Sequence, residues 1–385
     1  MQVIAQGWLV LTLTDDPFFL GLVGAAAYTP LLVLGLFGGL IADRLPKRRT
    51  LVGAQAVELL LALGLFVLTA TGRIEVWHIV ALAGALGLVE AIGTPTRHAF
   101  VIEMVGREDV ANAIALNVSI FNVARVMGPA VAGVMIAATG TASVFLVNAL
   151  TYLAVIVGLL LMRPETLLSP PLFRRRGGVR GTLGDLAEGL AYVRRTPTLR
   201  IVIMTLGVVS IFGVNFEVLG PPLARDVLGA DAAGYGFLMS AFGVGALMSA
   251  LGIAFVGTRP IALAAGAIAL GLSELVLAAS GLLAVSVVLM AIAGMGAIGM
   301  GTTGNLTLQL AAPDRLRGRV VSLYAVVFDG TAPIGGLIMG AIASNAGVAM
   351  ALTLGGAVSA VTGVFVAVAV RRLASRPAAG GAPVG

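Results

Sequence analysis

The chain has 385 residues, of which 59% are hydrophobic and only 11% are charged. Soluble domains carry about 25% charged residues, so this composition excludes a soluble enzyme, a disordered chain and a nucleic-acid-binding module. Apolar runs of about 18 residues or more recur along nearly the whole length, and each can cross a bilayer as a helix. The net charge of +6 does not require an anionic partner, because Lys and Arg gather in the cytoplasmic loops of membrane proteins.

Metal, cofactor and nucleotide sites find little support in the sequence. The chain has no Cys, and its two His, His78 and His98, lie far apart, so we expect no metal centre and no cofactor. The glycine-rich run 294–304 lies inside an apolar span, lacks a Lys and follows no strand, so it is not a phosphate-binding loop. Without an ATP motif, ATP-driven transport is not expected.

Hydropathy and turn residues predict twelve membrane-spanning elements. The first is too short to cross a bilayer, so we interpret it as the second half of a first helix, in a chain that is truncated or that starts too late. The predicted spans are 1–13, 18–41, 50–71, 76–96, 111–136, 142–162, 200–222, 233–256, 261–280, 282–304, 320–342 and 347–370.

Basic residues set the predicted orientation. If the loop 43–49 is cytoplasmic, 21 of the 24 Lys and Arg lie on that side, as the positive-inside rule requires. We therefore expect a multi-pass protein of the cell (inner or plasma) membrane with a cytoplasmic C-terminus. The predicted units are a six-helix bundle at 1–162, a cytoplasmic linker with an amphipathic helix at 163–199, a second six-helix bundle at 200–370 and a tail at 371–385.

The two predicted bundles share a weak internal repeat. The stretch Gly128-Pro129-Ala-Val-Ala-Gly133 of the fifth span parallels Ala332-Pro333-Ile-Gly-Gly336 of the eleventh. When the two prolines are aligned, Arg125 falls on Asp329. Such repeats are typical of transporters that are built from duplicated bundles.

Two motifs resemble signatures of the major facilitator superfamily. The segment Gly39-Leu-Ile-Ala-Asp43-Arg44-Leu-Pro-Lys47-Arg48-Arg49 resembles the superfamily's signature between helices two and three, with a Pro in place of a usual Gly. The resemblance implies a cytoplasmic gate formed by Gly39, Asp43, Arg44, Lys47 and Arg48, together with Arg97.

The segment from Arg125 to Gly133 resembles the fifth-helix signature of drug/proton antiporters of this superfamily. Within it, Pro129 predicts a bend, and Gly128 and Gly133 predict close helix packing. A packing kink and a role in coupling both remain open for this motif.

Further stretches resemble one branch of the superfamily, which includes the enterobactin exporter and the transmembrane secretion effector proteins. They include Pro95-Thr-Arg97 and Arg317-Gly-Arg-Val320. The resemblance implies an all-α fold of two six-helix bundles that work by alternating access. It also implies a monomer that exports a small siderophore- or drug-like molecule in exchange for protons.

Charged residues inside spans are expensive, so each is a functional candidate. Arg125 is the first, because a guanidinium stays charged and must find a partner; a permanent structural ion pair and a role in coupling both remain open for it. Glu217 is expected to be wetted near the outer surface and is set aside. The candidates for the substrate or proton pathway are Arg125, Asp329, Glu90, Glu58 and Glu274.

Three alternatives stay beside the exporter. One is an uncoupled or import-direction transporter of the same fold, and another is an inactive membrane partner protein. The third, a membrane-embedded enzyme, lacks support because the sequence shows no His-rich or paired-acid cluster.

Overall fold

A computed structural model describes residues 1–42, 45–163, 167, 179–257, 259–328 and 330–374 of the chain. These residues form α-helices and one π-helical turn, Leu223–Val227. The helices are α1 (Gln2–Thr14), α2 (Pro17–Ala42), α3 (Lys47–Ala70), α4 (Val76–Thr139), α5 (Thr141–Leu161), α6 (Val179–Arg195), α7 (Pro197–Phe212), α8 (Phe216–Pro222), α9 (Ala232–Val256), α10 (Pro260–Ala279), α11 (Leu283–Ala311), α12 (Asp314–Phe328), α13 (Ala332–Ala346) and α14 (Val348–Ala374).

The predicted all-helical membrane architecture is confirmed. The described residues contain eleven segments that are long and apolar enough to cross a membrane, and α1 is a shorter apolar helix. Helix α4 supplies two of these spans, Val76–Gly106 and Glu108–Thr139. They join at Gly106, whose φ of 76° is open to glycine but strained for other residues.

Several predicted boundaries move: the fourth span ends at Gly106 rather than at residue 96, the tenth ends at Ala311 rather than at 304, and the eleventh begins at Asp314 rather than at 320. The seventh span begins at Pro197 rather than at residue 200, because Pro197 occupies the first helical position of α7. Proline suits that position, since its fixed φ matches a helix and its missing N–H has no partner there anyway. The last residues of the predicted polar linker therefore belong to a membrane span.

Two groups of helices form two halves, and one large buried core includes residues of both. In the N-terminal half, α3 packs on α4 and α5, and in the C-terminal half α10 packs on α11 and α14. Leu65 and Phe145 are fully enclosed in the first half, and Leu270 and Met290 in the second. The helices of each half thus pack on one another, and the core continues from one half into the other.

Helix α6 lies between the two halves in sequence and attaches to the second one. Glu188 of α6 pairs with Arg315, at 3.1 Å, and with Arg319 of α12. Gly189 allows α6 to approach the backbone of Arg319, and Val193 is buried. These contacts tie α6 to the C-terminal half.

The halves meet along two symmetric helix pairs, α2 with α13 and α4 with α9. In the first pair, a Cβ on Gly21 would lie 2.2 Å from the carbonyl oxygen of Gly336. In the second, a Cβ on Gly133 would lie 2.9 Å from the Cα of Gly236. Both contacts exist only because small residues let backbones touch, and both follow the repeated Pro-Gly motif of the sequence.

The successive spans alternate in direction, so their connections fall on two faces. One face holds span ends that carry Lys and Arg, such as the start of α3 at Lys47 and Arg259 just before α10, and we call it the basic face. The other, which we call the opposite face, holds the short connections 15–16, 71–75, 228–231 and 280–282.

Candidate functional site

Pro129 opens the backbone of α4 where it meets α9. Proline lacks an N–H, so the carbonyl oxygen of Arg125, four residues earlier, loses its helical partner. Gly243 of α9 packs directly against this oxygen. A Cβ on Gly243 would lie 2.9 Å from the Arg125 carbonyl oxygen. One residue beyond the proline, the N–H of Ala130 donates to Ser240 Oγ at 2.9 Å. The helix-five motif therefore holds the two halves together.

Arg125 belongs to a polar group that both halves share. Its guanidinium is half-buried and interacts electrostatically with Glu217 of α8 and with Tyr28 of α2. The Tyr28 hydroxyl donates to Glu217 Oε2 at 3.2 Å. The Glu217 side chain is nevertheless exposed, so this group faces the space between the halves. We call Tyr28, Arg125 and Glu217 the central triad.

A break in the seventh span positions Glu217. Helix α7 ends at Phe212, and α8 begins at Phe216 after the residues 213–215. Such irregular backbone at membrane depth is tolerated where it lines a cavity, and broken helices often mark the binding sites of transporters. Glu217 lies in the first turn of α8, where a carboxylate also suits the helix dipole.

Beyond the central triad, contacts between the halves continue toward the opposite face. Arg225 Nη1 lies 2.8 Å from Asp15 Oδ1 and donates to the carbonyl oxygen of Leu11 at 3.0 Å. Trp8 stacks on Tyr235, with their ring centroids 6.2 Å apart. Hydrogen bonds and ion pairs thus join described residues of the two halves at the triad, next to Pro129 and toward the opposite face.

The predicted cytoplasmic gate residues bind within the N-terminal half. Lys47 Nζ lies 2.6 Å from Glu103 Oε1 of α4. Arg48 donates to the carbonyl oxygens of Leu159, at 2.7 Å, and Leu160, at 2.8 Å, at the end of α5. A cation at these unpaired carbonyls complements the dipole of the helix. Both side chains therefore hold helices of their own half in this structure.

Of the other gate residues, Gly39 lies in α2, while Asp43 and Arg44 fall outside the described residues. Arg97 of α4 binds Glu90 of the same helix at 3.2 Å.

The structure separates the predicted pathway residues into three places. Arg125 belongs to the central triad, whereas Glu58 and Glu90 lie together inside the N-terminal half. Glu274 is 1% exposed and packs against Gly356 of α14, so it lies within the C-terminal half and away from the space between the halves. Asp329, which the repeat aligns with Arg125, lies outside the described residues.

Sequence reasoning missed Glu217 because its position suggested the wetted end of a helix. The signal that could have found it is the interruption Gly213-Val-Asn215 followed by Pro221-Pro222, which is typical of a discontinuous span. Metal chemistry has no comparable candidate, since the described residues hold no group of three His, Cys, Asp or Glu side chains that could bind an ion.

Solved transporter structures share this fold. The crystal structure of the nucleoside transporter NupG superposes with a TM-score of 0.71 at 12% identity, over 98% of this chain and 97% of that one. A bacterial homologue of the human lysosomal transporter Spinster, in an inward-facing and unoccupied conformation, gives a TM-score of 0.67 at 14% identity, over 96% and 92% of the two chains. At such identities the likeness shows the fold alone.

Curated relatives are similar in sequence. The multidrug efflux pump Tap of Mycolicibacterium fortuitum is 28% identical over 90% of this chain and 86% of its own length. The staphyloferrin A transporter of Staphylococcus aureus is 30% identical over 39% of this chain and 38% of its own.

A family model described as transmembrane secretion effector matches residues 1–379. The chain therefore belongs to the transmembrane secretion effector family of major facilitator transporters, which makes it a multi-pass membrane transporter of small molecules rather than an enzyme.

Proposed function

We propose that this protein exports a small organic molecule, siderophore- or drug-like, across the cell membrane in exchange for protons. The printed activities of two relatives, multidrug efflux and staphyloferrin A transport, support this range of substrates. The basic face is the cytoplasmic face, because Lys and Arg collect there. The C-terminus, which follows the last span, is then cytoplasmic as well.

The central triad carries the proposal, because its three side chains come from both halves and face the space between them. A substrate that carries an acidic group can bind Arg125 in place of Glu217, and one that carries an amine can bind Glu217 in place of Arg125. Either substrate competes with the contacts that join the halves at this level. Binding from the cytoplasmic face therefore weakens the link between Arg125 and Glu217, one of the contacts that must break before the opposite face opens.

Proton entry supplies the driving force in this mechanism. A proton that moves inward gains about 2.3 kcal/mol per 100 mV of membrane potential. A gain of about 1.4 kcal/mol corresponds to a tenfold concentration ratio, so each proton can support substantial uphill export. In each cycle the two halves rearrange, so that access to the central triad switches from one side of the membrane to the other and back.

The test is efflux of a fluorescent dye, ethidium, from cells that express the full chain. We expect efflux that stops when a protonophore is added. Arg125→Gln and Glu217→Gln should abolish efflux, because each leaves the other charge without its partner. Arg73→Gln is the matched control, since Arg73 is an exposed arginine in a loop of the opposite face, and it should retain wild-type efflux.

Three outcomes contradict this proposal in different parts. Efflux that is unaffected by the protonophore would contradict the proton coupling. Net uptake of the dye would contradict the proposed direction of transport. Full efflux by both triad variants would show that the central triad is not needed for transport, without contradicting the transporter fold. Expression levels of all variants, measured by immunoblot of the membrane fraction, separate loss of function from loss of protein. Size-exclusion chromatography with light scattering tests the expected monomer.

A further inference from the structure

A second polar group lies inside the N-terminal half, apart from the central triad. Gln55 Nε2 donates to Glu58 Oε2 at 2.7 Å. Thr94 Oγ1 donates to Glu90 Oε2, and Arg97 Nη2 lies 3.2 Å from Glu90 Oε1. These side chains come from α3 and from the first span of α4. We call Gln55, Glu58, Glu90, Thr94 and Arg97 the acid cluster.

The two carboxylates of the acid cluster face one small volume. A Cβ on Gly93, which is buried between them, would lie 3.9 Å from Glu58 Oε1 and 4.0 Å from Glu90 Oε2. Both carboxyl groups thus lie beside the same buried glycine. No such pair is visible in the sequence, because Glu58 and Glu90 lie on different helices.

One of the four carboxyl oxygens has no partner. Glu58 is 1% exposed, and its Oε1 has no hydrogen-bond partner among the described residues. An isolated buried carboxylate is strongly unfavourable, and such a group binds a proton instead of remaining charged. Glu58 Oε1 is therefore the atom of the cluster to which a proton adds at the lowest cost.

The charges of the cluster balance when it binds one proton. Two carboxylates and one guanidinium carry a net charge of −1, and a single proton brings the sum to zero. The other polar groups that face Glu58 are uncharged: Tyr152, which interacts with it electrostatically, and Asn148, which binds Tyr152. Asn148 also bonds to Gln2 of α1, and among the described residues the cation that acts on Glu58 is Arg97.

Exposure increases from Glu58 toward water. The Glu90 side chain is 29% exposed and that of Arg97 is 51% exposed, whereas Glu58 is enclosed. Arg97 lies on the side of Glu90 that leads to the basic face, because the first span of α4 ends there at Gly106. A proton on Glu58 thus has a route to the basic face through Glu90 and past Arg97.

We propose that Glu58 and Glu90 together hold one exchangeable proton and form the proton-coupling site of this transporter, while the substrate binds at the central triad. A proton that enters from the opposite face adds to Glu58 Oε1 and forms the O–H bond, and that bond breaks when the proton leaves to water on the basic face. This inference rests on the proposed proton-driven export, and it assigns coupling to a place other than Arg125.

The first test needs no substrate. Infrared difference spectra of the purified full chain in lipid, recorded across a pH titration, detect protonated carboxyl groups by their C=O stretch. We expect a titrating carboxyl band that disappears in Glu58→Gln. Glu274→Gln is the matched control, because Glu274 is an equally buried glutamate in the other half, and it should leave the titrating band in place. A titrating band that persists unchanged in Glu58→Gln would overturn the proposal.

The second test separates coupling from transport in proteoliposomes loaded with ethidium. Glu58→Gln should lose accumulation driven by a pH gradient, falling to the level of empty vesicles, and should keep downhill dye flux. Glu58→Asp, which preserves the carboxyl group, should restore part of the gradient-driven accumulation. Loss of both fluxes in Glu58→Gln and Glu58→Asp would show a structural role and overturn the proposal. Wild-type flux without any dependence on the pH gradient would instead overturn the proposed proton-driven export, even if the Glu58 band titrates.

Discussion

Replacing Gly21 with Ala tests whether the α2–α13 contact belongs to one conformation only. In this structure a Cβ on Gly21 would lie 2.2 Å from the Gly336 carbonyl oxygen, whereas ordinary contact begins at 3.4 Å. The two helices must therefore separate by roughly 1 Å to admit one methyl group. If the contact opens during transport, the substitution destabilises this state and leaves the other one unaffected.

The size of the effect follows from the cost of overpacking. Forcing an extra methyl group into a packed contact costs about 1–3 kcal/mol. A change of that size shifts the ratio of two conformations by about 5- to 150-fold. Gly24→Ala provides the control, because Gly24 lies one turn further along α2 and a Cβ there would meet no atom within 4 Å. Any gain in helix stability from replacing a glycine is then common to both variants.

The assay is the distance between spin labels on the opposite face. The chain contains no Cys, so Thr71→Cys and Asn345→Cys place one label at an exposed position of each half. Double electron–electron resonance should show a longer distance gaining population in Gly21→Ala and not in Gly24→Ala. Identical distance distributions in all three proteins would refute the idea that this glycine contact belongs to one state.

Two further predictions concern charged groups away from the central triad. Lys47→Gln should lower the apparent Tm in detergent, because loss of one partner of the mostly buried Lys47–Glu103 pair costs about 3 kcal/mol. The double variant Lys47→Gln/Glu103→Gln should regain most of that loss, and a double variant as unstable as the single one would contradict the pairing. Glu274→Gln should retain wild-type dye efflux, since Glu274 lies within the C-terminal half. Loss of efflux in this variant with an unchanged Tm would show that Glu274 takes part in transport.

Hydropathy predicted the membrane spans because each helix that crosses lipid must be apolar over its own length, and this property can be read from a continuous stretch of sequence. The repeat motif likewise predicted the close packing at Gly133, since a small residue one turn after a proline allows close approach in any bundle. These features are local in sequence, and a pattern of residue types is enough to find them.

The candidate site was predicted only in part, because its pairings are not local. Arg125 was found from its charge alone, but its interaction with Glu217 depends on the break after α7 and on the packing of α8 near α2 and α4. Glu58 and Glu90 were also found singly, because they lie on α3 and α4 and come together only when these helices pack. Both carboxyl groups lie beside the buried Gly93, a neighbourhood that is visible only in three dimensions.

Helix α4 carries parts of the three features on which the proposed mechanism depends: the acid cluster, the central triad and the contact between the halves at Gly133. Its first span carries Glu90 and Arg97 of the acid cluster, and its second carries Arg125 and the contact of Gly133 with the C-terminal half. The two spans meet at Gly106 without an intervening loop of any length, so a displacement of one is transmitted to the other. A change of charge in the acid cluster is therefore placed to alter the contact that joins the halves. Coupling in this transporter then needs no direct contact between proton and substrate, because both act on one continuous helix.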